Sequence, residues 1–421
     1  MMKSNFRGLL YALKNRLLGG GLISLQACIR EQIESNSNQN QQIREILEYA
    51  STHCEAYKGL PPEDLSTWPV MNKLRMMEDG VLSHEFKREK LHRMMTSGST
   101  GVPFVCFQNS RKRKQLLAEN LVMSGMVGYQ VGNPLIYARI WGRMNKRPWW
   151  VHWAQNVFPL DISMQNHSTM EKLIRQANAT HSSLLGYASF YDAFVQYLRD
   201  HDLYTNPFQS AISISETLGP STQEEFRKRT GTHLYARYSN MENGIIAQQI
   251  PGSGHAYVIN TASYFIEILD FEKDEPVSMG QKGRIILTDL YNRAMPFIRY
   301  DTGDVGAIQY WERSNQLVFT QIEGRRIDQI FNSSGEMISP HTITVMMWEF
   351  PQIKQYQLIQ ESYTDFTIKL NADPTQLNIN LFLQTLKEII GKETNVSYEW
   401  VNEIPFLASG KRKKFVNNMR N

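Results

Sequence analysis

Residues 95–104, with the sequence MTSGSTGVPF, constrain the fold of this 421-residue chain more than any other segment. Two pairs of hydroxyl residues are each followed by a glycine, so the backbone can approach a polyphosphate closely while N–H groups and hydroxyls supply uncharged donors. No Gly-Lys-Ser/Thr closes the segment, which excludes a Walker-type loop. An ordinary serine–glycine linker is the alternative, but such a linker has no fixed order. The pattern predicts a phosphate-binding loop made of Thr96, Ser97, Gly98, Ser99, Thr100 and Gly101.

The composition excludes several classes of protein. The 45 Lys and Arg exceed the 41 Asp and Glu by only four, a surplus too small to indicate a nucleic-acid binder. With 42% hydrophobic and 11% aromatic residues the chain can bury a sizeable core, so it is not globally disordered. Its three cysteines are widely spaced and form neither a zinc motif nor a disulfide framework. This cysteine usage is typical of a reducing, cytoplasmic setting. Because the sequence has no apolar run of about 18 residues, we expect no transmembrane segment.

Helical and strand patterns alternate along the first half of the chain, which predicts an α/β fold. From residue 257 onward β-branched and aromatic residues dominate, so a β-rich subdomain is expected over residues 255–325. We predict a large N-terminal domain, residues 1–327, and a small C-terminal α+β domain, residues 328–421. The predicted helices are 43–57, 111–127, 189–199, 222–229 and 377–390. The predicted strands include 134–141, 355–360, 366–370 and 395–401.

The order Thr-Ser-Gly-Ser-Thr-Gly-x-Pro in residues 96–103 resembles the phosphate loop of the adenylate-forming superfamily, which includes acyl-CoA synthetases, luciferases and nonribosomal-peptide adenylation domains. Phe104 stands where many members carry a lysine. That departure is typical of the phenylacetate-CoA ligase branch, which is linked to capsular polysaccharide biosynthesis. The resemblance implies ATP and Mg²⁺ as ligands and a small, mobile C-terminal lid domain. Further motifs of the superfamily follow this loop in the same order.

Two of these motifs would contact the nucleotide and its metal ion. Residues 213–218, SISETL, match the superfamily's Gly-Ala-Glu-Pro turn only in part and imply contacts from Ser215 and Glu216. The sequence YARYSNMENGIIAQ resembles an aromatic-x-x-x-Glu motif, in which Tyr238 would stack on adenine and Glu242 would ligate Mg²⁺. One carboxylate suffices, because Mg²⁺ takes its other ligands from phosphates and water. A capped strand end, a core tyrosine and a surface glutamate are the alternatives.

Two more motifs lie where the predicted domains meet. Residues 300–306, YDTGDVG, would place Asp304 against the ribose, because a carboxylate held in a turn can accept hydrogen bonds from both hydroxyls. Residues 324–340 resemble a Gly-Arg-x-x-Asp motif, so Arg325 would contact ribose or phosphate and Asp328 would be the hinge of the lid. A turn acid that caps its own backbone and a charged linker are the alternatives.

The last motif, ASGKRKKF in residues 408–415, resembles loops whose lysine enters the active site during adenylation. Lys411 would then be the catalytic lysine, with a long cationic arm that reaches the α-phosphate. A solvated basic tail is the alternative. The resemblance also suggests an acyl pocket lined by aromatic residues, which would equally suit the core. The pocket candidates are Trp141, Tyr187 and Tyr191.

The resemblance implies a ligase that converts a small carboxylic acid and ATP to an acyl-adenylate and pyrophosphate. The acyl group would then pass to an acceptor with release of AMP, and coenzyme A is the expected acceptor. Amide or ester formation on a sugar or amino compound in capsular polysaccharide biosynthesis is the alternative. A catalytically silent scaffold of the same fold is a third possibility, and the similar branch favours a homodimer.

Overall fold

The computed structural model describes residues 7–8, 11, 13, 21–36, 38–78, 80–96, 104–139, 141, 148–162, 167–325, 330–335, 337–338, 343, 346–347, 349–350, 352–405 and 413–419, with the backbone alone at 95–96, 324–325 and 337. The chain forms two compact units. The first comprises Met1–Thr302 and Gly306–Gln321, and the second comprises Gly303–Val305 and Ile322–Asn421. The predicted division between residues 327 and 328 falls outside the described residues and stays a prediction. Within the described ranges, no helix has the length and apolarity needed to cross a bilayer.

The four helices predicted in the first unit, 43–57, 111–127, 189–199 and 222–229, are confirmed close to their predicted bounds. The helices of this unit with described bounds are α1 (Gly21–Ser35), α2 (Asn40–His53), α3 (Ser110–Met126), α4 (Trp149–Gln155), α5 (His167–Thr180), α6 (Ala188–Asp200) and α7 (Pro220–Thr230). The strands are β1 (His92–Thr96), β2 (Phe104–Gln108), β3 (Leu135–Arg139), β4 (Val157–Asp161), β5 (Ser183–Tyr187), β6 (Ala211–Ile214), β7 (Leu234–Asn240), β8 (Gly244–Gln248), β9 (Tyr257–Ile259), β10 (Tyr264–Leu269), β11 (Gly283–Asp289), β12 (Tyr300–Tyr310) and β13 (Leu317–Arg325).

Strands β3 to β13 form one eleven-stranded sheet in the order β10-β11-β12-β13-β9-β8-β7-β6-β5-β3-β4. The half that contains β3 to β7 is parallel, and helices connect successive strands there, as a parallel sheet requires. From β7 onward the pairs β7–β8, β8–β9, β9–β13 and β10–β11 are antiparallel. The strands of the predicted β-rich region therefore continue the same sheet. The predicted α/β class is confirmed.

The main core lies between the parallel strands and the helices that pack on them. In α6 the apolar residues Phe190, Phe194 and Leu198 recur at helical spacing and are fully buried. Helix α6 packs closely on the sheet because β5 has a glycine beneath it. A Cβ atom at Gly186 would lie 2.9 Å from Cδ1 of Phe190. This close approach fixes the position of α6 above the end of β5.

The second unit contains a short hairpin and a four-stranded sheet. The hairpin is β14 (Ile330–Phe331) with β15 (Met337–Ile338), and the sheet has the order β18-β17-β16-β19. Its elements are β16 (Gln355–Gln360), β17 (Asp365–Asn371), α8 (Ile379–Ile390), β18 (Asn395–Trp400) and β19 (Phe415–Asn417). Helix α8 starts at an Asn378 cap, whose side chain accepts a hydrogen bond from the Leu381 N–H at 3.1 Å. The predicted α+β pattern of strand, strand, helix, strand is confirmed.

Candidate active site

Four adjacent parallel strands end at the same edge of the sheet, and five of the predicted site residues lie at or just beyond those ends. β3 ends at Arg139, β5 at Tyr187, β6 at Ile214 and β7 at Asn240. In open α/β sheets, ligands bind in the crevice beyond the carboxyl ends of the strands. The predicted residues that share this edge are Trp141, Tyr187, Ser215, Glu216 and Glu242.

Glu242, the predicted Mg²⁺ ligand, is buried just beyond β7, with 3% of its surface exposed. The hydroxyl of Tyr300 donates to its Oε1 atom at 2.9 Å, and the Nζ atom of Lys73 lies 3.3 Å from the same oxygen. The side-chain amide of Gln108 also donates to the Glu242 carbonyl at 2.9 Å. A tyrosine hydroxyl and an ammonium group thus orient a buried carboxylate whose oxygens are the hard ligands that Mg²⁺ prefers. Such a residue fits a magnesium site.

Lys73, which lies in none of the sequence motifs, contacts two residues of the candidate site. Its Nζ atom lies 5.7 Å from the ring centroid of Phe104, the residue that stands where many superfamily members carry a lysine. A cation from a distant part of the sequence therefore lies next to that position. Lys73 belongs to an irregular segment with no motif around it, so only the fold reveals this contact.

The turn that carries Glu242 is held by its own residues. The Asn240 side chain accepts a hydrogen bond from the Asn243 N–H at 2.8 Å. Gly244 follows with φ of +109°, a backbone conformation that other residues rarely adopt. A Cβ atom there would also lie 2.2 Å from Cδ2 of Leu116. The glycine in the sequence Met-Glu-Asn-Gly is therefore required by this turn.

A buried polar network lies behind the same turn. The ammonium group of Lys112 lies 2.7 Å from Oδ2 of Asp289 and donates to the Tyr264 hydroxyl at 3.0 Å. The Tyr264 hydroxyl in turn donates to the carbonyl of Asn243, next to Glu242. Burial raises the pKa of Glu119 to about 7, against the lowering effect of the Lys112 charge. Through these hydrogen bonds, the buried network connects the turn that carries Glu242 to charged groups in the core.

Tyr238, the predicted adenine-stacking residue, lies on β7 and is half-buried. Its hydroxyl donates to Oγ1 of Thr302 at 3.4 Å, and its ring meets that of Phe319 edge to face, with 5.8 Å between the centroids. Asp304 is half-buried on β12 in the second unit and follows Gly303, which has φ of +78°. Asp304 therefore lies within a strand, directly after a glycine of positive φ, and not in the separate turn that was predicted. Its contact with the ribose stays a prediction.

Ser215 and Glu216 directly follow β6. Ser215 has φ of +74°, an uncommon conformation for a residue other than glycine. Oε2 of Glu216 accepts a hydrogen bond from the Ser189 N–H at 2.7 Å, in the first turn of α6, where a carboxylate is favoured by the helix dipole. Oε1 is buried and has no hydrogen-bond partner among the described residues. Glu216 thus caps α6 and keeps one buried acceptor at the strand edge.

Trp141 and Tyr187 both lie near Arg139, a residue that belongs to none of the sequence motifs. The guanidinium carbon of Arg139 lies 5.5 Å from the ring centroid of Trp141 and 5.4 Å from that of Tyr137. Burial raises the pKa of the Tyr187 hydroxyl, whereas the neighbouring Arg139 charge lowers it. These side chains form a polar and aromatic cluster beyond β3 and β5, and the acyl-pocket role of Trp141 and Tyr187 stays a prediction.

The structure places Tyr191 in the core, against its predicted role in the acyl pocket. Its side chain is fully buried, and its hydroxyl donates to the carbonyls of Leu184 and Ile212 at 3.0 and 3.1 Å. Its ring meets that of Phe226 edge to face. Because the hydroxyl is satisfied inside the sheet–helix layer, Tyr191 is not retained as a pocket residue.

The phosphate loop and the C-terminal motifs are described only in part. Thr96, the last residue of β1, is paired with Phe104, the first residue of β2, so the loop connects two antiparallel strands. Arg325 ends β13, and its side chain is not described. No group of three or more histidine, cysteine or acidic side chains that could hold a metal ion occurs in the described part of the chain. The predicted residues outside the described ranges are Ser97, Gly98, Ser99, Thr100, Gly101, Asp328 and Lys411.

The chain is similar to proteins of one superfamily. Over 419 residues it is 23% identical to Protein CapK of Staphylococcus aureus, covering 91% of this chain and 89% of that protein. Residues 330–418 match the family model of the CapK C-terminal domain. It is also 24% identical over 241 residues to mitochondrial acyl-coenzyme A synthetase ACSM3 of Mus musculus, covering 50% of this chain and 40% of that protein.

The solved structure of 2-hydroxyisobutyryl-CoA ligase in the postadenylation state, in complex with R3-HIB-AMP, has the same fold. The TM-score is 0.72, at 14% identity and 92% coverage of both chains. These similarities confirm the predicted resemblance to the adenylate-forming superfamily and to its capsule-related branch. The similarity to CapK extends along nearly the whole chain.

Proposed function

We propose that this protein is an ATP-dependent ligase that activates a small carboxylic acid as an acyl-adenylate. The observation that supports this most is the position of Tyr187, Glu216 and Glu242 at the carboxyl ends of adjacent parallel strands. In a chain with the fold of adenylate-forming ligases, that edge is where the nucleotide and the acid would meet.

In the first step, a carboxylate oxygen of the acid attacks the α-phosphorus of ATP. The bond from that phosphorus to the bridging oxygen breaks, and pyrophosphate leaves. Two anions must approach each other in this step, so cations and oriented donors must stabilise the developing charge. Lys73, 3.3 Å from Glu242, and Lys411 are the cationic side chains that we assign to this task.

Glu242 would hold Mg²⁺, and the bound ion would neutralise charge on the ATP phosphates. Tyr300 orients the Glu242 carboxylate through its hydrogen bond, independently of the ion. Tyr238 would stack on the adenine, with its hydroxyl held by Thr302. Asp304 and Arg325 would bind the ribose, and the loop of residues 96–101 would bind the β- and γ-phosphates.

In the second step, an acceptor attacks the acyl carbonyl, AMP leaves, and the acceptor's proton passes to solvent. We propose the thiol of coenzyme A as acceptor, because relatives include an acyl-coenzyme A synthetase and a CoA ligase. Similarity to CapK along 91% of the chain favours a second candidate, an amine or hydroxyl of a sugar or amino compound in capsular polysaccharide biosynthesis. Either reaction would run in the cytoplasm, where ATP is supplied.

Exchange of labelled pyrophosphate into ATP, measured over a panel of acids, tests the first step. We expect acid-dependent exchange in the parent protein and a loss of at least tenfold in Glu242→Gln, which keeps a hydrogen-bond acceptor for Tyr300 but removes the charge. Glu48→Gln, on the exposed face of α2, is the matched control and should exchange like the parent. Absence of exchange with every acid would favour the silent scaffold.

The acceptor is tested separately by mass spectrometry of reactions that contain the activated acid with coenzyme A, an amino sugar or neither. A thioester product supports the first candidate, and an amide or ester supports the second. Light scattering of the same preparation would test the predicted homodimer.

A further inference from the structure

We propose that Arg139 binds a second anionic group of the acid substrate, so that the acids activated here carry a second carboxylate, a phosphate or a sulfate. The inference rests on the proposed function and names the substrate class of the same site. It is based on the position, the contacts and the unpartnered buried N–H of one guanidinium group at the edge of the sheet.

Arg139 is the last residue of β3, at the edge where ligands bind in sheets of this kind. Its guanidinium group is half-buried and lies next to the rings of Tyr137 and Trp141. The Nε atom is buried and has no hydrogen-bond partner among the described residues. A buried N–H that lacks a partner costs free energy, and an anionic ligand would provide the missing acceptor.

Within the described residues, Arg139 forms no ion pair with a carboxylate at the 4.0 Å limit for N···O. The charges of Arg139 and Glu216 both act on the Tyr187 hydroxyl. The sequence from residue 120 to residue 160 has four basic residues and no acidic one. A half-buried arginine in such surroundings is suited to a negative ligand group.

The sheet order separates Arg139 from the predicted nucleotide residues. Glu242 follows β7, and β6 and β5 lie between β7 and β3. Three interstrand spacings of about 4.8 Å each place the end of β3 about 14 Å from the end of β7. Trp141 and Tyr187, the remaining pocket candidates, lie beside Arg139 instead. The guanidinium group therefore lies on the acyl side of the site.

The chemistry of the side chain selects the kind of group that it would bind. The planar guanidinium fork matches the geometry of carboxylate and phosphate oxygens and can donate two parallel hydrogen bonds. The Tyr187 hydroxyl next to it would be a further donor to the same group. A neutral acyl chain would leave the charge of Arg139 unpaired, so the pocket would discriminate against such acids.

Pyrophosphate exchange with matched pairs of acids, such as succinate with butanoate and phthalate with benzoate, tests the assignment. We expect the parent protein to favour the dianionic member of its preferred pair. Arg139→Leu should lower kcat/KM for that acid about 100-fold and leave the neutral partner and the KM for ATP unchanged. Arg139→Lys should retain part of the preference, and Arg175→Leu, at an exposed position of α5, should retain all of it.

Three results would overturn the assignment. Exchange restricted to monocarboxylic acids in the parent would refute it while leaving the proposed function intact. An equal loss for both members of a pair in Arg139→Leu, with an unchanged melting temperature, would place Arg139 at the reacting carboxylate or at ATP. Absence of exchange with every acid would refute the proposed function and this assignment together.

Discussion

The Nζ atom of Lys73 lies 3.3 Å from Oε1 of Glu242, and the carboxylate is almost fully buried. The same ammonium group lies near the ring of Phe104, at the end of the predicted phosphate loop. Lys73 therefore adds a positive charge where the superfamily's usual lysine is absent. Its position between Phe104 and the predicted metal ligand is suited to stabilising charge on the phosphates.

Replacing Lys73 with methionine should slow adenylation roughly 10- to 100-fold, because a charge near the phosphates is lost while the length of the side chain is kept. Pyrophosphate exchange at saturating acid measures the effect. Lys87→Met, at an exposed position in the same irregular segment, is the matched control. Equal exchange in both variants would limit Lys73 to a structural role beside Glu242.

Lys411→Ala should cut pyrophosphate exchange roughly 100-fold or more without changing the melting temperature. The reason is the loss of the cation that we assign to the α-phosphate during the first step. Lys392→Ala, another lysine of the second unit, serves as the control. Parent-like exchange in Lys411→Ala would remove the lysine from the proposed mechanism.

Asp328→Pro should slow the transfer step more than adenylation, because proline restricts the backbone at the predicted hinge. Single-turnover measurements that start from ATP, and separately from a preformed acyl-adenylate, distinguish the two half-reactions. Equal slowing of both would argue against a hinge at this residue.

The sequence was most informative where a local pattern determines structure. The apolar spacing of Phe190, Phe194 and Leu198 predicted α6 to within a residue or two, and the order of the motifs predicted the superfamily. Tyr191 was assigned wrongly because an aromatic residue at helical spacing looks the same in a pocket and in a core. Lys73 and Arg139 were missed because their roles arise from tertiary neighbours that are distant in the sequence.

The stability of the protein should depend on pH through Glu119. Burial raises the pKa of Glu119 from 4.5 to about 7, so the folded state holds this proton more tightly than the unfolded state does. The free energy of unfolding should therefore fall as the pH rises from about 4.5 through 7. This pKa shift corresponds to about 3 kcal/mol of unfolding free energy.

Glu119→Gln keeps the shape of the side chain and the contact with Ser263, but it cannot titrate. Urea unfolding between pH 5 and pH 8 should show this decrease in the parent and a flatter profile in Glu119→Gln. Parallel profiles in the two proteins would assign the pH dependence to other groups of the buried network.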